Sequence, residues 1–487
     1  MQRIMARVFA RYAQERILTP TTPRPRHHQR LIFIVLLLAA AAAVPLAQRY
    51  VLPRLSSIRV LPTPQATIPL RADAGEAWLE KGNRATLEVL GNPAAQRYPD
   101  CAFAAARNPW DLRAYGGRLY IGLGNASNEG QSANAGPVPL MAYVPAPGRF
   151  VQETTLDEEE ISRFYRIGPD LLIPGTDPRE SWDWGNLYRR QQDGRWSQYR
   201  TLPRTIHAYA LAQAEGRLLA GVSISDALPE SVGTERHGSA VAVSEDHGRT
   251  WQLHPLSGWR IFDFLPVGGR LYATDLFPGP EFRRWLKKEG REAYHTPVHE
   301  YGSDRRFHRR PDLTAAVIFP DTPEARARAA LVEQAIPWGE AAAYLGAVAA
   351  RKGALPVRGL YIATNLASNP PNVHRVPLPE GAIPWDIRLE GEMLEVLLAQ
   401  RLAPLRWRNS VWSSRDGKSW REVLNFEAVS FARSFERLGV EYYFGLGIVG
   451  EDNTCTAAER ASGTLLRVRL GQGALSGIMD ESSGQRL

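Results

Sequence analysis

Apolar positions fall into two regimes along the chain. Residues 31–47, LIFIVLLLAAAAAVPLA, form one uncharged run of 17 residues, and nothing downstream matches it. From about residue 99 onward the apolar positions come in short bursts that are punctuated by glycine. Bursts of strand length between turn residues are the mark of β-structure. One burst recurs as a phrase: an apolar stretch, a turn with glycine, then leucine and an aromatic or aliphatic run. It reads WDLRAYGGRLYIG at 110–122, YALAQAEGRLLAG at 209–221 and FDFLPVGGRLYAT at 262–274. It returns as WDIRLEGEMLEVL at 385–397 and FARSFERLGVEYYFG at 431–445, with a degenerate copy, FYRIGPDLLIPG, at 164–175.

The turn glycines are Gly117, Gly168, Gly216, Gly269, Gly391 and Gly439, with neighbours spaced by about 50 residues except across the gap from 269 to 391. AAAYLGAV (341–348) and GLYIATN (359–365) fill that gap with one more copy. A second phrase, glycine–basic–aromatic, follows each turn by 25–32 residues, as PGRF (147–150), DGRW (193–196), HGRTW (247–251) and DGKSW (416–420). Each period therefore holds two hairpins, and four short strands per period make a propeller blade. A β-sandwich would not keep two phrases in phase. The pattern predicts an all-β propeller over 99–470 with seven blades, six being the alternative. Two segments break the repeat. Residues 281–312 are charged, and 321–335 predict a small helical insertion, with Asp321 or Thr322 as cap and Pro323 in the first turn. Residues 48–98 read as a linker and pre-propeller segment with a few strands, and 471–487 as a polar tail.

Charge sharpens the picture at the N-terminus. Residues 1–30 carry seven arginines and one glutamate, most of the formal net charge of +8. The basic character thus belongs to a tail, and a nucleic-acid-binding face on the body is not expected. The run at 31–47 just reaches the length of a membrane-spanning helix. With the basic tail 1–30 on the cytoplasmic side, it reads as a signal-anchor that places the propeller in a periplasmic or extracellular compartment. Alternatives are a cleaved signal peptide with a secreted product, or an organelle transit peptide, since Arg3, Arg7 and Arg11 interleave with Ile4, Val8 and Tyr12.

The chain has two cysteines. Cys101 precedes the first phrase by nine residues and Cys455 follows the last by ten. Paired, they would staple the first blade to the last in an oxidising compartment. The other reading is two unrelated thiols.

Two strings carry a family resemblance. SEDHGRTW supplies Ser244, Asp246, Gly248, Thr250 and Trp251; SRDGKSW supplies Ser414, Asp416, Gly417, Ser419 and Trp420, one residue shorter. On these residues the chain resembles the sialidase-like, Asp-box (BNR) repeat propellers. The resemblance implies that each box is a structural turn between outer strands of a blade. Sialidases of that family also carry an arginine triad, a Tyr–Glu pair, an Asp acid and an R-I-P motif. The nearest string here is YRIGPD at 165–170, which glycine interrupts. No catalytic set is assigned.

Aligning the first phrase by its turn puts Asp111, Asp263 and Asp386 at equivalent places, with Arg433 in the last copy. Arg113, Arg166 and Arg388 lie two residues along in their copies, on the same strand face. These residues would ring the channel mouth as a polar site for a glycan or carboxylate, or tie neighbouring inner strands together. Trp182 and Trp184, in GTDPRESWDWGNLYRR, are candidates for stacking on sugar rings or for packing between blades, and His207 sits near the same face. His295, His299 and His308 lack metal-site spacing, so no metal is expected. Nucleotide loops, C-x-x-C and G-x-S-x-G are absent, and no cofactor is expected. The composition and motifs point to a membrane-anchored propeller that binds a glycan or an envelope protein through its funnel face. The alternative is a glycoside hydrolase or lyase using funnel Asp and Arg residues. A third reading has a partner docking on the basic insertion 281–312.

Overall fold

A computed structural model describes residues 56–64, 67–68, 77–78, 85–128, 130–225, 238–288, 290, 292–349, 355–450 and 454–471. The basic tail 1–30, the apolar run 31–47 and nearly all of the tail 471–487 lie outside the described residues. Among those described, no helix is long and apolar enough to cross a membrane.

Seven antiparallel sheets follow one another along the chain as the blades of a propeller. Their innermost strands begin at Leu112, Tyr165, Thr205, Asp263, Ala330, Ala382 and Phe431. The six turn glycines named above all have positive φ, which a side chain resists. The fifth blade turns at Gly339, φ 58°, after an innermost strand Ala330–Trp338. That strand takes up the last six residues of the segment expected to be helical, 321–335. The helix stops after one turn, Glu324–Ala327, and from Ala330 buried and partly exposed positions alternate through Ala330, Val332 and Gln334. Two-residue alternation overrides the N-terminal helix signals. Residues 281–312 are likewise only partly an insertion. A helix, Pro280–Lys288, leaves the blade, whereas Val298–Tyr301 and Phe307–Arg309 are the outer strands of blade 4.

Residues 57–91 belong to the propeller. Ser57–Val60 adds an outer strand to blade 2, Thr67–Ile68 to blade 1 and Ala77–Trp78 to blade 6. Ala85–Gly91 is the fourth strand of blade 7, paired antiparallel with Leu465–Leu470. This pairing closes the ring and removes two sheet edges that would otherwise stay open. Polar contacts line the same seam. Asn92 Nδ2 donates to the Ser462 carbonyl at 2.8 Å, Ser434 Oγ to that of Pro109 at 2.7 Å, and Asn108 Oδ1 accepts from Ile448 N at 2.8 Å. Cys101 and Cys455 form a disulfide with Cα atoms 5.3 Å apart.

Between blades the core is aromatic. Tyr120, Tyr188, Tyr272, Tyr361 and Trp196 are fully buried. Tyr120 Oη and Trp196 Nε1 both donate to Glu153, at 3.0 and 2.7 Å, joining blade 1 to blade 2 through a satisfied buried carboxylate. The SEDHGRTW turn links the outer strands Gly238–Ser244 and Gln252–Leu256. Its Asp246 Oδ1 accepts from Thr250 N at 2.8 Å, and Ser244 Oγ accepts from Gly248 N at 2.8 Å. Trp251 Nε1 reaches back to Thr201 Oγ1 of blade 2 at 3.0 Å. In SRDGKSW, Asp416 Oδ1 accepts from Ser419 N at 2.7 Å, Gly417 N donates to Ser414 Oγ at 2.9 Å, and Trp420 Nε1 donates to the Gly417 carbonyl at 3.2 Å.

Replacing Cys101 or Cys455 by Ser should lower unfolding stability by about 2–5 kcal/mol. Urea unfolding of each variant beside the reduced wild type checks this. Coincident midpoints for the variants and the oxidised wild type would show that strand pairing alone holds the seam.

Candidate functional site

The innermost strands all start at one end of the channel, and three carry an aromatic–aspartate pair at or near their start: Trp110-Asp111, Phe262-Asp263 and Trp385-Asp386. Neighbouring residues of an extended chain project to opposite sides, and the two members of each pair do different work. The aspartates bond sideways. Asp111 accepts from Phe164 N of blade 2 at 2.7 Å, Asp263 from Ala335 N of blade 5 at 2.8 Å, and Asp386 from Phe435 N of blade 7 at 3.0 Å. Gln334 does the same for blade 6, donating to the Ile387 carbonyl at 3.0 Å. Burial raises the Asp263 carboxyl above its usual range and Asp386 to about 6, while Arg163 and Arg388 respectively oppose the rise. Arg388 is buried, bonds Asp111 and lies 3.0 Å from Asp386. Arg113 lies 3.7 Å from Glu436 and 4.0 Å from Asp111. Arg166 is exposed on the strand Tyr165–Ile167. Arg166 apart, the repeated Asp/Arg pattern is therefore a set of ties between blades. Three aspartates held by backbone N–H groups are not a pair of carboxyls poised across a substrate.

The aromatic partners build a different site. Trp110, Phe262 and Trp385 line a cavity of about 250 Å³ at the channel mouth, with Tyr209 between them and Asp111 and Asp386 at its wall. Tyr209 lies 5.0 Å from Phe262 and 5.2 Å from the buried His207, and its hydroxyl accepts from Arg260 at 2.8 Å. Three arginines face the cavity, and two are neutralised. Arg163 pairs with Asp263 at 2.8 Å, and Arg358 grips Glu333 at 2.5 Å. The third, Arg433, stacks on Trp110 with its Cζ 3.8 Å from the ring centre and 5.5 Å from that of Trp385. Its Nη1 donates to the Ile448 carbonyl at 3.1 Å. Among the described residues no carboxylate pairs with it within 4 Å. Burial, and then the nearby Arg358, pull this guanidinium down to about 9, so it is charged at neutral pH. The buried indole N–H of Trp385 also has no acceptor among the described residues.

The acidic run 157–160 ends at the cavity, which Glu160 lines. Burial raises Glu160 to about 7, against the Ala126 N–H that donates to it at 3.2 Å. Glu160 lines the cavity, so a carboxyl that is half protonated near neutrality faces an unpaired guanidinium. Glu158 is fully buried and accepts from Asn186 and from Tyr188 Oη at 2.5 and 2.9 Å; burial lifts it to about 8.

The remaining expected residues lie elsewhere. Trp182 is 46% exposed beside Pro178 and Arg179 on the loop between two strands of blade 2, and Trp184 begins the strand Trp184–Arg190. His295 bonds the Leu276 carbonyl at 2.9 Å, His299 the Ser257 hydroxyl at 3.2 Å and His308 Asp304 at 2.8 Å. No group of three metal-binding side chains occurs among the described residues.

No protein-family model and no curated protein matches the chain. Among solved structures it is similar to the WD40 repeats of RRP9, at 8% identity and a TM-score of 0.43, over 83% of this chain and 100% of that one. It is also similar to an ulvan lyase described as a new polysaccharide lyase family, at 10% identity and a TM-score of 0.39, over 82% and 95%. A chain of the mitotic checkpoint complex matches at 9% identity and 0.42, over 84% and 96%.

Glu158 makes stability depend on pH. Its folded value of about 8 lies above the ordinary 4.5, so the folded state holds a proton that the unfolded state releases. Stability should fall as pH rises from 4.5 towards 8. Glu158→Gln should flatten that decline and raise the melting temperature at pH 8 by a few degrees, as read by calorimetry across the range. An unchanged slope would mean that another group governs it.

Proposed function

We propose that the chain is a membrane-anchored, exported propeller whose funnel binds a glycan carrying an acidic group. The observation that carries this is Arg433: a half-buried guanidinium stacked 3.8 Å from Trp110, facing the cavity with no carboxylate partner within 4 Å among the described residues. A carboxylate or sulfate on the ligand would complete the ion pair. The faces of Tyr209 and Phe262 would take the apolar sides of sugar rings, and the indole N–H of Trp385 a ring hydroxyl. Arg163 and Arg358 already have acidic partners, so a single arginine would grip the acid. The serine–aspartate turns at 244–251 and 414–420 support the sialidase-like reading of the fold. The anchor rests on the apolar run 31–47 and the arginines before it, and the disulfide agrees with export.

Glu160 favours a second reading, in which the funnel also hydrolyses or eliminates at a glycosidic bond. A carboxyl near pH 7 is suited to deliver a proton there. The test is a set of uronate-bearing, sulfated and neutral oligosaccharides presented to the detergent-solubilised full chain, with binding and released reducing ends both recorded. Arg433→Ala should weaken binding of the acidic members about 10- to 100-fold, the range of a charged hydrogen bond. Affinity should fall as pH rises through about 7, because Glu160 then ionises beside the bound anion, and Glu160→Gln should remove that fall. Equal binding of neutral and acidic glycans, or insensitivity to Arg433→Ala, would sink the proposal.

A further inference from the structure

The helix Pro280–Lys288 leaves blade 4 between the strands Arg270–Thr274 and Val298–Tyr301, at the end where Thr274 and Val298 stand opposite each other and the innermost strand begins at Asp263. That is the end of the channel that carries the cavity. Leu286 is buried and fixes the helix to the body. Phe282 and Trp285 stack at 5.1 Å, and both meet Trp259 edge-on at 5.4 Å, leaving a half-buried aromatic ridge. Arg283, Arg284, Lys287 and Lys288 are exposed, with Glu281 the one acidic residue of the helix. A short basic helix with tryptophan and phenylalanine on its other side has the composition of a membrane-surface helix.

The chain outside the structure selects the occupant. Ser57 stands opposite Arg200 and Val60 opposite Ser197, on a strand, Trp196–Pro203, that runs into the first strand of blade 3 at the cavity end. Arg59 confirms the direction by reaching Glu180 of the blade 2 loop at 3.0 Å. The described chain therefore enters at the same end as the basic helix. Nine residues separate the end of the apolar run at 47 from Ser57, and the ten steps between them span at most about 36 Å when fully extended. With the run in a bilayer, the tether keeps the entry end of the propeller within a few tens of ångströms of that surface, so the basic helix meets it at high effective concentration.

We propose that the helix Pro280–Lys288 docks on the anionic lipid surface of the membrane that holds the anchor. This rests on the anchor reading of residues 31–47, and the two fail separately. Resistance of the membrane-bound chain to carbonate extraction tests the anchor. Docking is tested on the full chain in nanodiscs of phosphatidylcholine, with and without a third of phosphatidylglycerol, by amide exchange over 280–288. The expected result is slower exchange with the anionic lipid, lost at about 0.5 M salt. Each cation removed should weaken docking about fivefold, so Lys287→Gln with Lys288→Gln should diminish the effect. Reversing all four to Glu should abolish it while the exchange of the blade strands stays unchanged. Equal exchange in both nanodiscs overturns the proposal. So does protection that appears in neutral nanodiscs only when a soluble acidic polysaccharide is added, which would assign the helix to the glycan instead.

Discussion

The pairing of Ala85–Gly91 with Leu465–Leu470 is the constraint on which the rest depends. It turns a row of seven sheets into a ring, and the site exists because the ring is closed. Arg433 belongs to the last blade, and the indole on which it stacks, Trp110, precedes the first strand of the first blade. The contact crosses the seam. Asn108 and Pro109, just before that indole, bond the last blade as well. Seam and cavity wall are therefore built from the same few residues.

Closure also explains why so many charges are buried. A blade has no hydrogen-bonding edge facing its neighbour near the axis, so side chains must join one blade to the next. An ionised carboxylate is costly to bury unless it is hydrogen-bonded or paired. Asp111, Asp263 and Asp386 meet that condition with a backbone N–H of the following blade and with an arginine. Arg433 has Trp faces and one carbonyl instead, and this asymmetry separates a structural charge from one available to a ligand.

Much of this was legible in the sequence. The turn glycines set the phase of the blades, and the cysteines flanking the repeats pair as their positions suggested. The fifth turn, at Gly339, escaped notice because Trp-Gly-Glu lacks the leucine that marks the other turns, and helix signals just upstream masked the strand. The site was half legible. Alignment placed Asp111 and Asp386 at the channel mouth, where they line the cavity wall, but alignment reports position and not where a side chain finds its partner. The overlooked signal was the aromatic residue before each aspartate. Glu160, Arg163 and Arg358 lie outside the repeated phrase, so no periodicity could have found them. The segment 48–98 hid much of its role because two of its four strands have only two residues and leave almost no pattern.

The strands within 57–91 are made before the strands that host them. They visit blade 2, then blade 1, then blade 6 and finally blade 7. None can settle before its host exists, and the final host strand, Leu465–Leu470, stands near the end of the chain. A molecule emerging N-terminus first would hold Ala85–Gly91 unpaired while nearly four hundred residues follow it, whereas Ser57–Val60 and Thr67–Ile68 can pair once blades 2 and 1 are made. Ala85–Gly91 would thus present the same open edges for most of the chain's synthesis. The period of greatest risk for misassociation would end only when the last blade arrives to receive that strand.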